Sequence, residues 1–242
     1  MNEDIESTKI GTMAPEGQAQ EAPPQSALAT LIGVFTNPRG TFQSLSAKPR
    51  LLAPILVVVV FQLIFGVVLA QSGVMKNDAL ARLEQKNAPE AQIDAVTKVM
   101  DSPVRFVFVS FGPVVLLFSL LVTAGLLYFM ANLMLGARLR YTHYLSIASY
   151  GAVVGIVDQV TRMGLALGRG TLMVHLGVGA FLGDELNMLL RVLDTATDPL
   201  LLWAVAVQAL GVAVMARKNF GFGLLAVLPG FLVLVSLSAL QR

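Results

Sequence analysis

LLAPILVVVVFQLIFGVVLA, residues 51–70, decides the fold of this chain. No residue in that run is charged, and Gln62 is its one hydrogen-bonding side chain. A helix needs about 20 mainly apolar residues to cross a hydrocarbon core about 30 Å thick. The run therefore reads as a membrane span, with Pro54 tolerated in the first helical turn.

Four more apolar runs follow it. Residues 104–130 form the second, with Gly112-Pro113 as a candidate kink. Residues 141–160 form the third and most polar, holding Ser146, Ser149 and Asp158. Residues 199–216 form the fourth, capped by Asp198, and residues 220–240 the fifth, with Pro229-Gly230 inside. The expected fold class is all-α, a polytopic transmembrane helical bundle of about five spans.

Composition supports this. Charged residues make up 13% of the 242, about half the share of a soluble domain, so much of the surface faces lipid. Cysteine is absent, which removes disulfides, thiolate metal sites and a Cys nucleophile. No cluster of Lys and Arg interleaved with aromatics suggests nucleic acid. The first long apolar stretch starts near Leu51, so an uncleaved insertion signal is expected in place of a signal peptide.

Residues 1–26 carry five acids against Lys9 and show no apolar period, the composition of a disordered tail. Residues 27–50 change character. Leu28, Leu31, Ile32 and Phe35 share one helical face. Asn37-Pro38 then offers an N-cap and a first-turn proline for a second helix presenting Phe42 and Leu45. With Lys48 and Arg50 close by, the segment is expected in the membrane interface, its apolar side chains turned to lipid or to the bundle. Residues 51–242 form the transmembrane domain.

Between the first two spans, Leu80 and Leu83, then Ile93, Val96 and Met100, predict two short helices broken at Pro89. Residues 163–183 are apolar but glycine-rich and hold Arg169 and His175, which favours a re-entrant or interfacial segment over a sixth span. Residues 184–193 read as an amphipathic helix. The segments 39–50, 131–143 and 216–221 concentrate Arg39, Lys48, Arg50, Arg138, Arg140, Arg217 and Lys218 without an acid. The two longer loops mix fewer basic residues with acids. This places the amino terminus in the cytoplasm.

The most informative constellation lies on the third span. Gly151, Gly155, Asp158 and Arg162 are spaced i, i+4, i+7 and i+11, so they share one face. The glycines form a small-xxx-small pair that lets another backbone approach, and Asp158 and Arg162 can pair at i,i+4. A charge at the membrane centre costs about 2.5–3.5 kcal/mol on insertion scales. An interfacial ion pair, a partner contact and proton or ion coupling all remain open for that face. His143 is expected at a boundary among tyrosines. His175 lacks a second ligand at metal spacing. Nucleotide-hydrolysis, zinc-protease and hydrolase motifs are missing, so neither catalytic residue nor cofactor is assigned.

From Leu31 onward the chain resembles a bacterial member of the Yip (Ypt-interacting protein) family. The residues that carry the resemblance are Val34 to Phe42, Lys48-Pro49-Arg50, the paired short helices of residues 76–101, Ser102-Pro103, and Tyr144 to Gly151. The resemblance implies five helices, a cytoplasmic amino terminus and an accessory role beside an ABC-type exporter or trafficking machinery. Eukaryotic relatives associate with Rab-type GTPases and carry an acidic-aromatic Gly-Pro motif before the first span. Here Lys48-Pro49-Arg50-Leu51-Leu52 stands in that place, so GTPase recognition does not transfer.

The resulting expectation is a non-enzymatic membrane adaptor, touching the lipid bilayer and either a membrane-protein partner or its own copy. The alternatives are a small transporter or channel using Asp158 and Arg162, and a lipid-organising protein acting through residues 27–48.

Overall fold

The computed structural model describes residues 26–182 and 187–238, and every regular element among them is helical. In chain order these are α1 (Ala27–Thr36), α2 (Pro38–Ala47), α3 (Leu52–Ser72), α4 (Val74–Gln85), α5 (Glu90–Asp101) and α6 (Arg105–Tyr128). After a π-helical turn, Phe129–Met134, come α7 (Tyr141–Arg169), a 3-10 turn at Val178–Phe181, α8 (Met188–Ala196), α9 (Pro199–Met215) and α10 (Phe220–Ser238). The tail expected over residues 1–26 lies, except for Ser26, outside the described residues, as does the start of the amphipathic helix expected at 184–193.

The span count differs from the expected five. Among the described residues α3, α6 with its π turn, and α10 are each long and apolar enough to cross a membrane. A fourth span appears only if α8 and α9, bent by 52° at their junction, count as one. By itself α9 has 17 residues, about 25 Å of helix. The remaining candidate, α7, has 29 residues, about 43 Å, which is ample length. Its shortfall is in hydropathy, because the helix carries Ser146, Ser149, Asp158 and Arg162 on faces that turn to other helices. Residues 163–169, expected in a re-entrant segment, simply continue α7 until Gly170 takes a left-handed φ of 71° and ends it.

The amino-terminal segment forms the two expected short helices, and of the two expected orientations its apolar side chains take mainly the one towards the bundle. Ser26 caps α1 through a bond from Ala29 N to Ser26 Oγ of 3.1 Å. Asn37 alone separates α1 from α2: its N–H donates to Gly33 O at 2.8 Å, and its Oδ1 accepts from Gly40 N at 3.1 Å. The two helices form a tight hairpin, so close that a Cβ on Gly33 would stand 2.5 Å from Thr41 Oγ1.

This hairpin packs against α3, α7 and α9. Phe42 and Leu45 are 0% and 1% exposed, and the Phe42 ring comes within 3.0 Å of where a Gly211 Cβ would sit on α9. The Phe35 ring meets Trp203 at 5.8 Å between centroids, four residues into α9. From Trp203 to Gly211 is about 12 Å of helix, so these contacts follow about half of α9. Leu28 and Ile32 point outward, 66% and 53% exposed, whereas Thr30 and Val34 point in. A helix apolar on both faces suits a place between lipid and protein better than a water boundary.

The core sits where α2, α3, α6, α7, α9 and α10 meet, around Phe42, Val58, Leu120, Tyr144, Ile147 and Val212. Gly73, with φ 77°, turns the chain from α3 into α4, and Lys76 to Asp101 at 2.7 Å ties α4 to α5.

Candidate functional site

The four candidate residues on α7 do share one side of the helix, but they meet different surroundings. Gly151 faces Gln208 of α9, and a Cβ there would stand 2.6 Å from both Cγ and Nε2 of that side chain. The glycine makes room for an amide. At Gly155 an added Cβ would find nothing within 4 Å, so the close backbone approach expected there is absent. Along this face contact resumes beyond Gly155, where Arg162 reaches Val174 and Asp198 and Ala166 is buried against Val74 and Val174.

Asp158 and Arg162 do pair. Arg162 Nε donates to Asp158 Oδ1 at 2.9 Å and to Oδ2 at 3.1 Å. The same guanidinium reaches further: Nη1 donates to Val174 O at 3.0 Å, and Nη2 donates to Asp198 Oδ2. Asp198 is 1% exposed. Its other oxygen caps α9, accepting from Leu200 N at 2.9 Å and Leu201 N at 3.2 Å, with Pro199 in the first turn. One arginine therefore faces two carboxylates, and the positive end of the α9 dipole helps to balance the second.

A neighbouring cluster organises the connection from α7 to α9. Asp194 of α8 accepts at Oδ1 from Gly177 N and Gly179 N, both at 2.9 Å. At Oδ2 it accepts from His175 Nδ1 at 2.8 Å, the ring donating because a carboxylate has no proton to give. A Cβ on Gly177 would stand 2.0 Å from Asp194 O, so this position admits glycine alone. Thr197 Oγ1 accepts from Val178 N at 3.0 Å. A polar cavity of about 210 Å³ opens between these groups, lined by Arg82, Arg162, His175, Arg191 and Asp194. His175 Nε2 is buried without a hydrogen-bond partner among the described residues. Among the described residues no three His, Asp or Glu side chains gather as metal ligands.

At the opposite end of the bundle a network of neutral side chains ties the π turn to α7. Asn132, placed by the π turn, donates to Leu139 O at 2.7 Å and accepts from the buried Tyr144 hydroxyl at 2.6 Å. Tyr128 meets the rings of Tyr141 and Tyr144 edge-on. His143 is not left to solvent: its Nε2 donates to Ser46 O at 3.2 Å, joining the α1–α2 hairpin to the start of α7. Of the interfacial residues singled out from sequence, Asn37 and Pro38 form the hairpin turn, Phe42 and Leu45 enter the core, and Phe35 meets Trp203.

Sequence reasoning did not anticipate Asp194, Asn132 or Gln208, and it gave Asp198 a capping role only. Local pattern carries no signal for these, because each partner lies on another element. The one available hint was an Asp immediately before Pro199 at the start of an apolar run.

A family model for the Yip1 domain matches residues 32–240. Comparison with curated proteins gave no match, and neither did comparison with solved structures. The match runs from within α1 to the end of α10, nearly all of the helical bundle described above, and the chain belongs to the Yip1 domain family of multi-span membrane proteins.

Proposed function

We propose that this chain is a non-enzymatic membrane adaptor, an accessory subunit that holds another membrane protein through its helices. One observation carries this reading. The charged groups of the candidate site are engaged inside the chain: Arg162 commits Nε, Nη1 and Nη2 to Asp158, Val174 and Asp198, and Asp194 is filled by two backbone N–H groups and His175. Such a cluster fixes the end of a bundle and leaves no nucleophile beside a base. The outward faces of α3, α6 and α10 are apolar, with Ile64, Phe118 and Leu232 all exposed, a surface suited to lipid and to other spans.

The family resemblance suggests an ABC-type exporter or a trafficking assembly as the partner class, and the concentration of basic residues in segments 39–50, 131–143 and 216–221 supports a cytoplasmic amino terminus; in a bacterium the membrane would be the inner one. Detergent solubilisation followed by identification of co-purifying chains tests the adaptor. A stoichiometric membrane-protein partner is the expected result. Purified protein that alone moves solute in liposomes, and loses that activity in a folded Asp158→Asn/Arg162→Gln variant, would replace the adaptor with a transporter.

A further inference from the structure

A cavity of about 70 Å³ lies where the end of α3 meets the start of α6, beside the turn into α4 and the last residues of α5. The register of the two spans fixes its depth. A Cβ on Gly66 of α3 would stand 2.6 Å from Val109 Cγ1 of α6, and one on Gly112 of α6 would stand 3.2 Å from Gln62 Cγ. Carrying that antiparallel register on by one turn sets Arg105 beside Ala70, and both line the cavity. From Leu52 to Ala70, α3 rises about 27 Å, close to the hydrocarbon thickness of about 30 Å. Arg105 therefore stands at the level where hydrocarbon gives way to lipid phosphates.

The charged side chains that line the cavity are Lys76, Asp101 and Arg105, and they do not cancel. Lys76 Nζ donates to both oxygens of Asp101, at 2.7 and 2.8 Å, which leaves its third N–H. Arg105 has no carboxylate at ion-pair distance among the described residues. Its Nη1 donates to Met100 O at 3.2 Å, its Nε is buried without an acceptor, and its Cζ lies 5.0 Å from the Phe106 ring centroid. The balance is one positive charge at the edge of a span. A cation there normally extends to water or headgroups, because an unmatched charge near hydrocarbon is costly. Arg105 instead turns to Met100 and to the cavity it shares with Lys76. One and two turns deeper, α3 exposes Val67 and Ile64, which share a helix face with Gln71 of the cavity lining.

We propose that this cavity binds a phosphate group, carried by a phospholipid of the leaflet at this end of the bundle. The Arg105 guanidinium takes the phosphate oxygens through its remaining N–H groups, and Lys76 adds its third. Such charge-assisted bonds are the strong ones. A diester phosphate carries a single negative charge, which matches the excess in the cavity. The acyl chains of the same molecule follow the apolar stripe of Val67 and Ile64. Free phosphate satisfies the charge but not the stripe, and the pairing of an anion above hydrocarbon is the chemistry of a lipid. The site is independent of the adaptor reading, since it shares no residue with the cavity between α7 and α8.

The test uses the full-length protein, purified in a neutral maltoside detergent and stripped of lipid. Its melting is followed against dihexanoyl phosphatidylglycerol, dihexanoylglycerol and inorganic phosphate at matched ionic strength. A ligand that binds the folded state alone raises the melting temperature according to its affinity. Phosphatidylglycerol should stabilise and dihexanoylglycerol should not. Inorganic phosphate should need about tenfold more to act, because it lacks the acyl contacts. Arg105→Gln should weaken the lipid about tenfold or more, and Lys76→Gln by about threefold or more. Lys86→Gln, at an exposed lysine outside the lining, should change nothing. Asp101→Asn should tighten lipid binding, because it releases Lys76, even as it loosens α4 from α5; an ion pair that is only a tether predicts no such gain. If Arg105→Gln does not fold, the opposite signs of Lys76→Gln and Asp101→Asn decide. Equal responses to phosphatidylglycerol and dihexanoylglycerol, or undiminished binding in folded Arg105→Gln, overturn the site. Inorganic phosphate acting at the lipid's own concentration overturns the lipid as its source.

Discussion

Arg162 and Asp198 lie 36 residues apart in sequence and bond across the seam between α7 and α9, with the carboxylate fully buried and the guanidinium partly open. The same carboxylate caps α9, so a single contact sets both where that helix begins and which helix it packs on. The bend between α8 and α9 follows at this point.

The two carboxylates on Arg162 should respond unequally to mutation. Removing the arginine strands a buried charge, an event that typically costs 3–5 kcal/mol. With Arg162 partly solvated, Arg162→Gln is expected to cost about 3 kcal/mol, the lower end of that range. Asp198→Asn keeps a good N-cap and loses only the charge, so it should cost less. Asp158→Asn should be mildest, because Asp158 is the more exposed carboxylate and Arg162 keeps Asp198. Thermal melting in one detergent gives the order, and an Asp158→Asn variant worse than Arg162→Gln would contradict it.

Gly151 and Gly155 look equivalent by spacing and should not behave alike. Gly151→Val pushes into Gln208, and overpacking of this kind typically costs about 1–3 kcal/mol. Gly155→Ala enters open space and removes a helix-weakening glycine, for an expected gain of about 0.5–1 kcal/mol. Paired melting curves check the contrast, with equal destabilisation as the adverse result.

The connection from α7 to α9 should depend on Gly177. Gly177→Ala collides with backbone, Asp194 O, which no rotamer change relieves. Loss of the Gly177 and Gly179 bonds to a buried carboxylate is worth roughly 1.5–3 kcal/mol. Limited proteolysis and amide exchange should then show residues 171–182 and 187–197 opening while α3 and α6 stay protected. Protection spread evenly as before would mean that Asp194 does not hold this segment.

Phe42 and Ile32 separate the inner and outer faces of the amino-terminal hairpin. Phe42→Ala empties a core position, which typically costs about 3–5 kcal/mol. Ile32→Ala changes an outward face and should stay within about 0.5 kcal/mol. Because the chain has no cysteine, single cysteines at either position can be introduced without background. A water-soluble thiol reagent should miss position 42 in the folded protein. Ready labelling there would place α2 outside the bundle.

The apolar runs by themselves determined that this chain is a bundle of membrane helices, because an uncharged stretch such as residues 51–70 has no other stable solvent. Spacing likewise put Asp158 and Arg162 on one face, since that pair is local to a single helix, and Asn37-Pro38 marked a helix start that the structure retains. Tertiary structure decided the rest. Phe42 and Leu45 have the pattern of an interfacial helix, and only the presence of α9 and α7 beside them makes them core. Gly151 and Gly155 are identical in sequence terms, and the difference between them is Gln208 on another helix. Asp198 reads as a cap, while its ion pair waits on Arg162 being brought across the bundle. Period and composition report what one segment does to its own faces; which segment answers each face is set by packing between elements far apart in the chain.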